Sequence, residues 1–182
     1  MKFNNRKNEC VIADDGRELW LSRSVAVAVT VIVEVDAKPY VLINQRGPGV
    51  PDGQGLWNMP CGYLDYDETL GEAAVREVWE ECGVNVLELR EGALFDAIET
   101  PWDINSAPTY GKQNVTTYHG LATRVQALPA LTDAYNEPGE TTAIHWVRLT
   151  ELGSYPFAFN HRQHIDKFVR HVASTTGVDF NA

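Results

Sequence analysis

Between Thr69 and Gly83 the chain specifies a helix together with both of its ends, and this segment constrains the fold more than any other. Thr69-Leu70-Gly71-Glu72 has the spacing of a capping box, in which the Thr hydroxyl and the Glu carboxylate each satisfy a backbone N–H left unbonded by the first turn. Gly83 can take up the left-handed conformation that stops a helix. The spacing therefore predicts a helix over about Leu70–Cys82. Leu70, Ala73, Ala74, Val78 and Cys82 recur at intervals of three and four, which gathers them on one apolar face. That face has to be packed against a sheet, so the remaining segments are read for strands.

Ser24–Val35 is dense in Val and Ile and reads as a buried strand. A turn at 36–39 and a second apolar run at 40–44 complete a hairpin. Residues 46–55, Arg-Gly-Pro-Gly-Val-Pro-Asp-Gly-Gln-Gly, hold too much Gly and Pro for regular structure and mark an exposed loop of the kind that carries binding groups. Residues 85–97 and 115–125 read as further strands, with a loop at 99–114 that contains Trp102 and Tyr110. Residues 144–147 form a short strand and 159–172 a terminal helix. No repeat, low-complexity tract or linker divides the chain, and 182 residues with 44% hydrophobic content suit one core, so 1–182 reads as a single domain.

The charge balance narrows the partners. With 15 Lys+Arg against 25 Asp+Glu the formal charge is −10, which repels polyanions and argues against long DNA or RNA. An acidic protein can still bind a small phosphate ester when divalent cations lie between its carboxylates and the ligand. The longest uncharged apolar run, 25–33, falls short of the ~20 residues of a membrane helix, and residues 1–8 lack the apolar core of a secretion signal. A soluble, cytoplasmic protein with no membrane partner is expected. Cys10, Cys61 and Cys82 are odd in number and widely spaced, which suits a reducing compartment, with each thiol a small packing residue.

Glu77, Glu80 and Glu81 stand at relative positions zero, three and four of the helix, so at about 100° per residue they share one edge, expected opposite the apolar face. Adjacent carboxylates repel unless cations neutralise them, and hard oxygen donors suit Mg²⁺ or Mn²⁺ rather than zinc. Arg76 could offset part of the charge. A solvated face is the other reading of the spacing, because Glu is a good helix former.

Taken as a whole, Gly62, five residues, Glu68, seven residues and then Arg76-Glu77-Val78-Trp79-Glu80-Glu81-Cys82-Gly83-Val84 resembles the Nudix box over 62–84. Gln45-Arg46, the run 55–60 before the box and the Trp146-Val147 strand are also similar to Nudix proteins. The resemblance implies an α/β fold, a Nudix-type α/β/α sandwich with a mixed sheet and a glutamate-rich catalytic helix. It implies an Mg²⁺-dependent hydrolase that uses water to cut a diphosphate linkage in a nucleotide derivative. Glu77, Glu80, Glu81 and the Gly62 carbonyl would hold Mg²⁺ (or Mn²⁺), and Arg76 would orient the glutamates unless it forms only a surface ion pair. Glu68 would be an outer or loop-fixing residue. Cys61 departs from the glycine that many relatives carry before Gly62.

The general base is left between Glu77 and Glu140. Glu140 precedes Trp146 by six residues, the spacing of a loop glutamate in the branch that cleans oxidised nucleoside triphosphates; Glu137 could replace it, and a solvated loop residue is the alternative. Trp102 and Tyr110 would stack on a base or anchor their loop by packing. Arg46 would contact phosphate or be merely solvated. Residues 155–161, Tyr-Pro-Phe-Ala-Phe-Asn-His, resemble the Pro-x-Ala-Phe-Asp-His stretch of ADP-ribose pyrophosphatase-like Nudix proteins, with Asn160 in place of Asp. His161 and His164 are assigned to a helix surface.

The favoured substrate is a small nucleoside diphosphate derivative such as ADP-ribose or a sugar nucleotide. Glu140 supports the alternative, a nucleoside triphosphate pyrophosphohydrolase. A 5′-RNA pyrophosphohydrolase is disfavoured by charge, and a non-enzymatic nucleotide sensor by the complete box and the few residues expected beyond the last helix. A homodimer is left open.

Overall fold

The Val-rich run forms the middle of a sheet that is covered on both sides, which is why it reads as continuous rather than alternating. The computed structural model describes residues 8–107 and 114–180. In chain order it contains β1 (Glu9–Ile12), β2 (Glu18–Leu21), β3 (Ser24–Val35), β4 (Lys38–Arg46), β5 (Trp57–Asn58), β6 (Cys61–Tyr63) and α1 (Leu70–Cys82). There follow α2 (Val86–Leu89), β7 (Phe95–Ala97), β8 (Asp103–Asn105), β9 (Asn114–Arg124), β10 (Thr141–Arg148), a 3₁₀ segment Leu149–Ser154 and α3 (His161–Thr176).

The main sheet runs β10-β4-β3-β9-β7, with β5 against β4, β6 against β3 and β8 against β9. β3 and β9 are parallel and the other pairings antiparallel, so the sheet is mixed. Alternate residues of the strands serve opposite layers. Val29 and Val31 of β3, Leu42 of β4 and Leu121 of β9 pack with Ala74, Val78 and Cys82 of α1. Ala28 and Ile32, Val41 and Ile43, and Tyr118 and Ala122 pack with Ile165, Phe168, Val169 and Val172 of α3. Two helical layers on one mixed sheet make the α/β/α sandwich, as expected. β1 and β2 form a separate antiparallel hairpin that the sequence reading had not assigned.

Gly120 of β9 is where the α3 layer comes closest. A Cβ there would fall 2.3 Å from a ring carbon of Phe168, a side chain with no exposure. Gly120→Ala is therefore expected to destabilise the fold by about 1–3 kcal/mol through overpacking. The midpoint of urea unfolding should fall with an unchanged slope.

Several expectations need correction. Residues 85–97 are not one strand. Asn85 Oδ1 accepts the Leu87 N–H at 3.1 Å and starts α2, and Gly92 turns the chain at φ 77° before the three residues of β7. This local side-chain bond competes with sheet pairing. The terminal helix begins at His161 and runs to Thr176, because Phe159 and Asn160 have φ of 56° and 115° and lie outside it. The 99–114 loop contains β8, and Cys10 is exposed on β1 rather than packed.

Candidate active site

The capping box forms as read. Thr69 Oγ1 accepts the Glu72 N–H at 3.2 Å, Glu72 Oε2 accepts the Thr69 N–H at 2.7 Å, and Gly83 ends α1 with φ 68°. β6 lies beside β3, with Val27 opposite Gly62, and this pairing brings the segment before the helix onto the flank of α1. The placement moves the glutamates from where helical spacing alone put them. Glu77 and Glu81, one turn apart, are buried at 6% and 2% exposure, whereas the Glu80 side chain is 45% exposed. The carboxylate edge therefore adjoins the apolar face instead of opposing it, because β6 covers it.

Gly62 is a steric requirement of this arrangement. A Cβ there would lie 2.2 Å from Glu77 Oε1. Next to it, the Cys61 N–H donates to Glu81 Oε2 at 3.0 Å, so the loop holds one carboxylate by a backbone bond and abuts the other. Cys61 also accepts from Asn58 Nδ2 at Sγ, 3.3 Å away, and burial together with Glu81 pushes its thiol well up. The thiol is a protonated neighbour of the carboxylates, not a nucleophile.

Arg76 binds much of the negative charge. Its guanidinium donates to Glu68 at 2.7 and 2.9 Å, to Glu77 at 2.7 Å, to Glu80 at 3.0 Å and to the Tyr63 carbonyl at 2.9 Å. This is more than a surface ion pair, since one fork links the helix to the β6 loop. Hydrogen bonding from Arg76 holds Glu68 below the usual carboxylate range, and Glu68 accepts from the Asp65 N–H, a loop-fixing position. Burial nevertheless raises Glu77 to about 7 despite Arg76. Burial and the neighbouring Glu77 raise Glu81 well above the ordinary value.

Among the described residues no group of three or more His, Cys, Asp and Glu side chains is set as a metal centre. Glu77 and Glu80 are both turned onto Arg76. The chemistry of the donors still fits a hard divalent ion. Two buried carboxylates resist ionisation side by side, and the nearby cation is shared among four acceptors, so added positive charge would relieve the pair.

A cavity of about 510 Å³ opens above this flank, and its walls gather residues far apart in the chain. Gly62, Arg46, Glu140 and Asn160 all line it. Glu140 arrives because the 139–140 backbone is bonded to the Gly-rich loop: Gly47 N–H donates to Glu140 O at 2.6 Å and Gly49 N–H to Gly139 O at 2.7 Å. A Cβ on Gly47 would lie 2.2 Å from Gly139 O. Burial, then Glu137 and Glu80, raise the Glu140 carboxyl, and Glu140 is itself among the charges that raise Glu77 and Glu81. Glu137 is exposed and does not line the cavity. Arg46 donates to the carbonyl and carboxylate of Asp52 and lies 4.8 Å over the Phe159 ring.

Trp102 is placed elsewhere. Its indole N–H donates to His119 O at 3.3 Å and its ring packs against Phe168 and His171, so it anchors the loop to the α3 layer and is not a cavity residue. Tyr110 lies outside the described residues. The histidines overturn their surface assignment. His161 is 5% exposed and lines the cavity, and His164 stacks on Tyr118 with ring centroids 3.7 Å apart. Tyr118, Thr116 and Phe159 also line the cavity without having been singled out, because β-strand alternation alone does not say which inward face is left uncovered.

Residues 23–171 match the family model of the NUDIX domain. The phosphatase NudJ of Escherichia coli strain K12 is 46% identical over 57 residues, a match covering 31% of this chain and 35% of that protein. The chain thus spans about a third of the length of the curated relatives it matches. Solved structures show the same fold at lower identity. The NUDIX domain of Shewanella oneidensis NrtR, complexed with ADP ribose, aligns with a TM-score of 0.59 at 19% identity over 84% of this chain and 90% of that one. A bifunctional NMN adenylyltransferase/ADP ribose pyrophosphatase from Francisella tularensis, complexed with AMP and a manganese ion, gives 0.60 at 21% identity over 82% of this chain and 42% of that one. With the box intact, its capped helix formed and the family model matched over most of its length, the chain belongs to the Nudix family.

Proposed function

We propose that this protein is a pyrophosphohydrolase that cleaves the diphosphate linkage of a small nucleoside diphosphate derivative, with Mg²⁺ or Mn²⁺ as cofactor. The observation that carries the reading is the meeting of Gly62 with the distant Glu140 and Arg46 at one cavity, with Glu77 against Gly62 and Glu81 bonded to Cys61 in the wall behind it. Glu77, Glu80, Glu81 and the Gly62 carbonyl would hold the cation. When bound, the ion supplies positive charge against the phosphoryl oxygens and acidifies water.

The side chains divide the remaining work. Arg46 faces the cavity with its charge half engaged by Asp52 and serves a phosphate oxygen. Arg76 is a positioning residue that keeps Glu77 and Glu80 from separating. Glu140, whose carboxyl is raised by burial and by neighbouring acids and which lines the cavity, is suited to take a proton from the attacking water. Glu77 acts mainly as a ligand. Glu140→Gln is therefore expected to lower kcat by about 10²-fold or more with little change in KM. An unaltered rate in that variant would remove Glu140 from the reaction.

The 155–161 stretch resembles ADP-ribose pyrophosphatases, and two structural relatives were solved with ADP ribose or AMP. Glu140 at the cavity favours a second reading, a nucleoside triphosphate pyrophosphohydrolase. A panel of ADP-ribose, sugar nucleotides and nucleoside triphosphates, scored by products with Mg²⁺ or Mn²⁺, separates them. AMP plus ribose 5-phosphate is the expected outcome, with a higher kcat/KM than any triphosphate. Preferential release of pyrophosphate from a triphosphate would replace the first reading by the second. A homodimer in a reducing, cytoplasmic setting is compatible with this role.

A further inference from the structure

His161 is held differently from the other buried histidine at full depth. His119 has both ring nitrogens engaged, Nδ1 with Ile98 O at 2.7 Å and Nε2 with Thr117 Oγ1 at 3.1 Å, and so completes its bonding within the core. His161 Nδ1 accepts the Met59 N–H at 3.1 Å. An accepting Nδ1 carries no proton, which leaves the ring hydrogen on Nε2. That N–H has no hydrogen-bond partner among the described residues, although the residue is 5% exposed and lines the cavity. Nε2 opens on the cavity, where water or a ligand atom can accept from it.

The backbone makes a sacrifice to put it there. Phe159 and Asn160 are consecutive non-glycine residues with φ of 56° and 115°. Conformations of this kind are worth about 1–3 kcal/mol of strain each and persist where surrounding structure holds them. They turn the first residue of α3 inward, against β5 and the cavity, instead of along the helix surface. Burial, reinforced by His164 and Arg46, lowers the His161 imidazole to about 3, so the ring is neutral at physiological pH.

We infer that the Nε2–H of His161 is a fixed, uncharged hydrogen-bond donor that recognises a neutral acceptor on the nucleoside half of the ligand. The assignment rests on the nucleotide-hydrolase reading above. Arg46 provides the cationic contact that phosphate oxygens call for, whereas an uncharged N–H in a partly apolar wall suits a base nitrogen, a base carbonyl or a sugar hydroxyl. His161 is thus a specificity residue and takes no part in proton transfer.

Two substitutions separate this role from a structural one. His161→Asn places an amide oxygen near Nδ1, where it can still accept from Met59, and removes the distal donor. His161→Gln extends an amide N–H to the position of Nε2 and gives up the Met59 bond. Binding of AMP, GMP, CMP, UMP and ribose 5-phosphate is measured by calorimetry with Mg²⁺ present, beside thermal melts and turnover of the substrate panel. The tightest nucleotide should bind about tenfold more weakly to His161→Asn and within about threefold of wild type to His161→Gln. KM should follow binding while kcat changes little.

Ribose 5-phosphate distinguishes the acceptors. A parallel loss with His161→Asn places the acceptor on the sugar, and no loss places it on the base. Unchanged nucleotide binding by His161→Asn, or a loss in His161→Gln alone, would assign the residue to the Met59 bond and overturn the inference. Failure of wild type to bind any of the nucleotides would also overturn it, while release of phosphate products from the panel judges the hydrolase reading separately.

Discussion

Glu81→Gln is expected to lower kcat by two or more powers of ten while leaving the folded protein no less stable than wild type. The two effects have one origin. Glu81 is 2% exposed, and burial beside Glu77 raises its carboxyl well above the ordinary value. A group whose folded pKa is raised contributes stability that is fully present below its unfolded value, near 4.5, and is lost as pH rises toward the folded value. Above the unfolded value the charge of this side chain therefore works against folding until a cation neutralises it. Gln keeps an oxygen for the Cys61 N–H, now 3.0 Å from Glu81, and removes the charge that a divalent ion would need.

Mg²⁺ is expected to raise the melting temperature of wild type at pH 8, and the same variant should lose most of that rise. An ion at a hundred times its Kd stabilises a fold by about 2.7 kcal/mol. Glu77→Gln should behave similarly, and Glu80→Gln should lose activity without the stability gain, since its side chain is 45% exposed. Near-wild-type turnover in both Glu80→Gln and Glu81→Gln would make the metal assignment untenable.

Acid should destabilise wild type far more than His161→Asn. The His161 pKa is lowered from 6.5 to about 3, chiefly by burial. For a depressed group the stability is present above the unfolded pKa and is lost as pH falls toward the folded one. The unfolded chain takes up a proton below pH 6.5 that the native site refuses, so each further pH unit costs about 1.4 kcal/mol until pH approaches 3. Between pH 7.5 and 4.5 this accumulates to about 2–3 kcal/mol. Glu77 and Glu81 act in the opposite direction, which is why the difference between wild type and His161→Asn is the quantity to measure. Urea unfolding across that range gives it directly, and parallel pH dependences in the two proteins would show that His161 is solvated.

Local physical chemistry was enough to read α1 to the residue. Its capping box and its left-handed Gly83 are contacts within four positions, so nothing distant could alter them. The hairpin of β3 and β4 was equally evident, because burial on both faces demands an unbroken apolar run. Spacing also placed Glu77, Glu80 and Glu81 on one edge. Only the tertiary structure decided which of the three are buried, since that depends on β6 lying across the flank of α1. It likewise decided that Glu140 reaches the cavity, through backbone bonds to Gly47 and Gly49 over ninety positions away. The sequence assigned His161 to a helix surface, but two left-handed residues before the helix turn it inward, and no pattern of side-chain polarity records a backbone angle. Trp102 could be read as a base platform or as an anchor because an aromatic ring suits either; Phe168 and His171, far along the chain, supply the surface it packs on. The sequence determined α1 and the β3–β4 hairpin with their local ends, where forces act over a few residues, and the closing of the sheet determined which faces remain for a ligand.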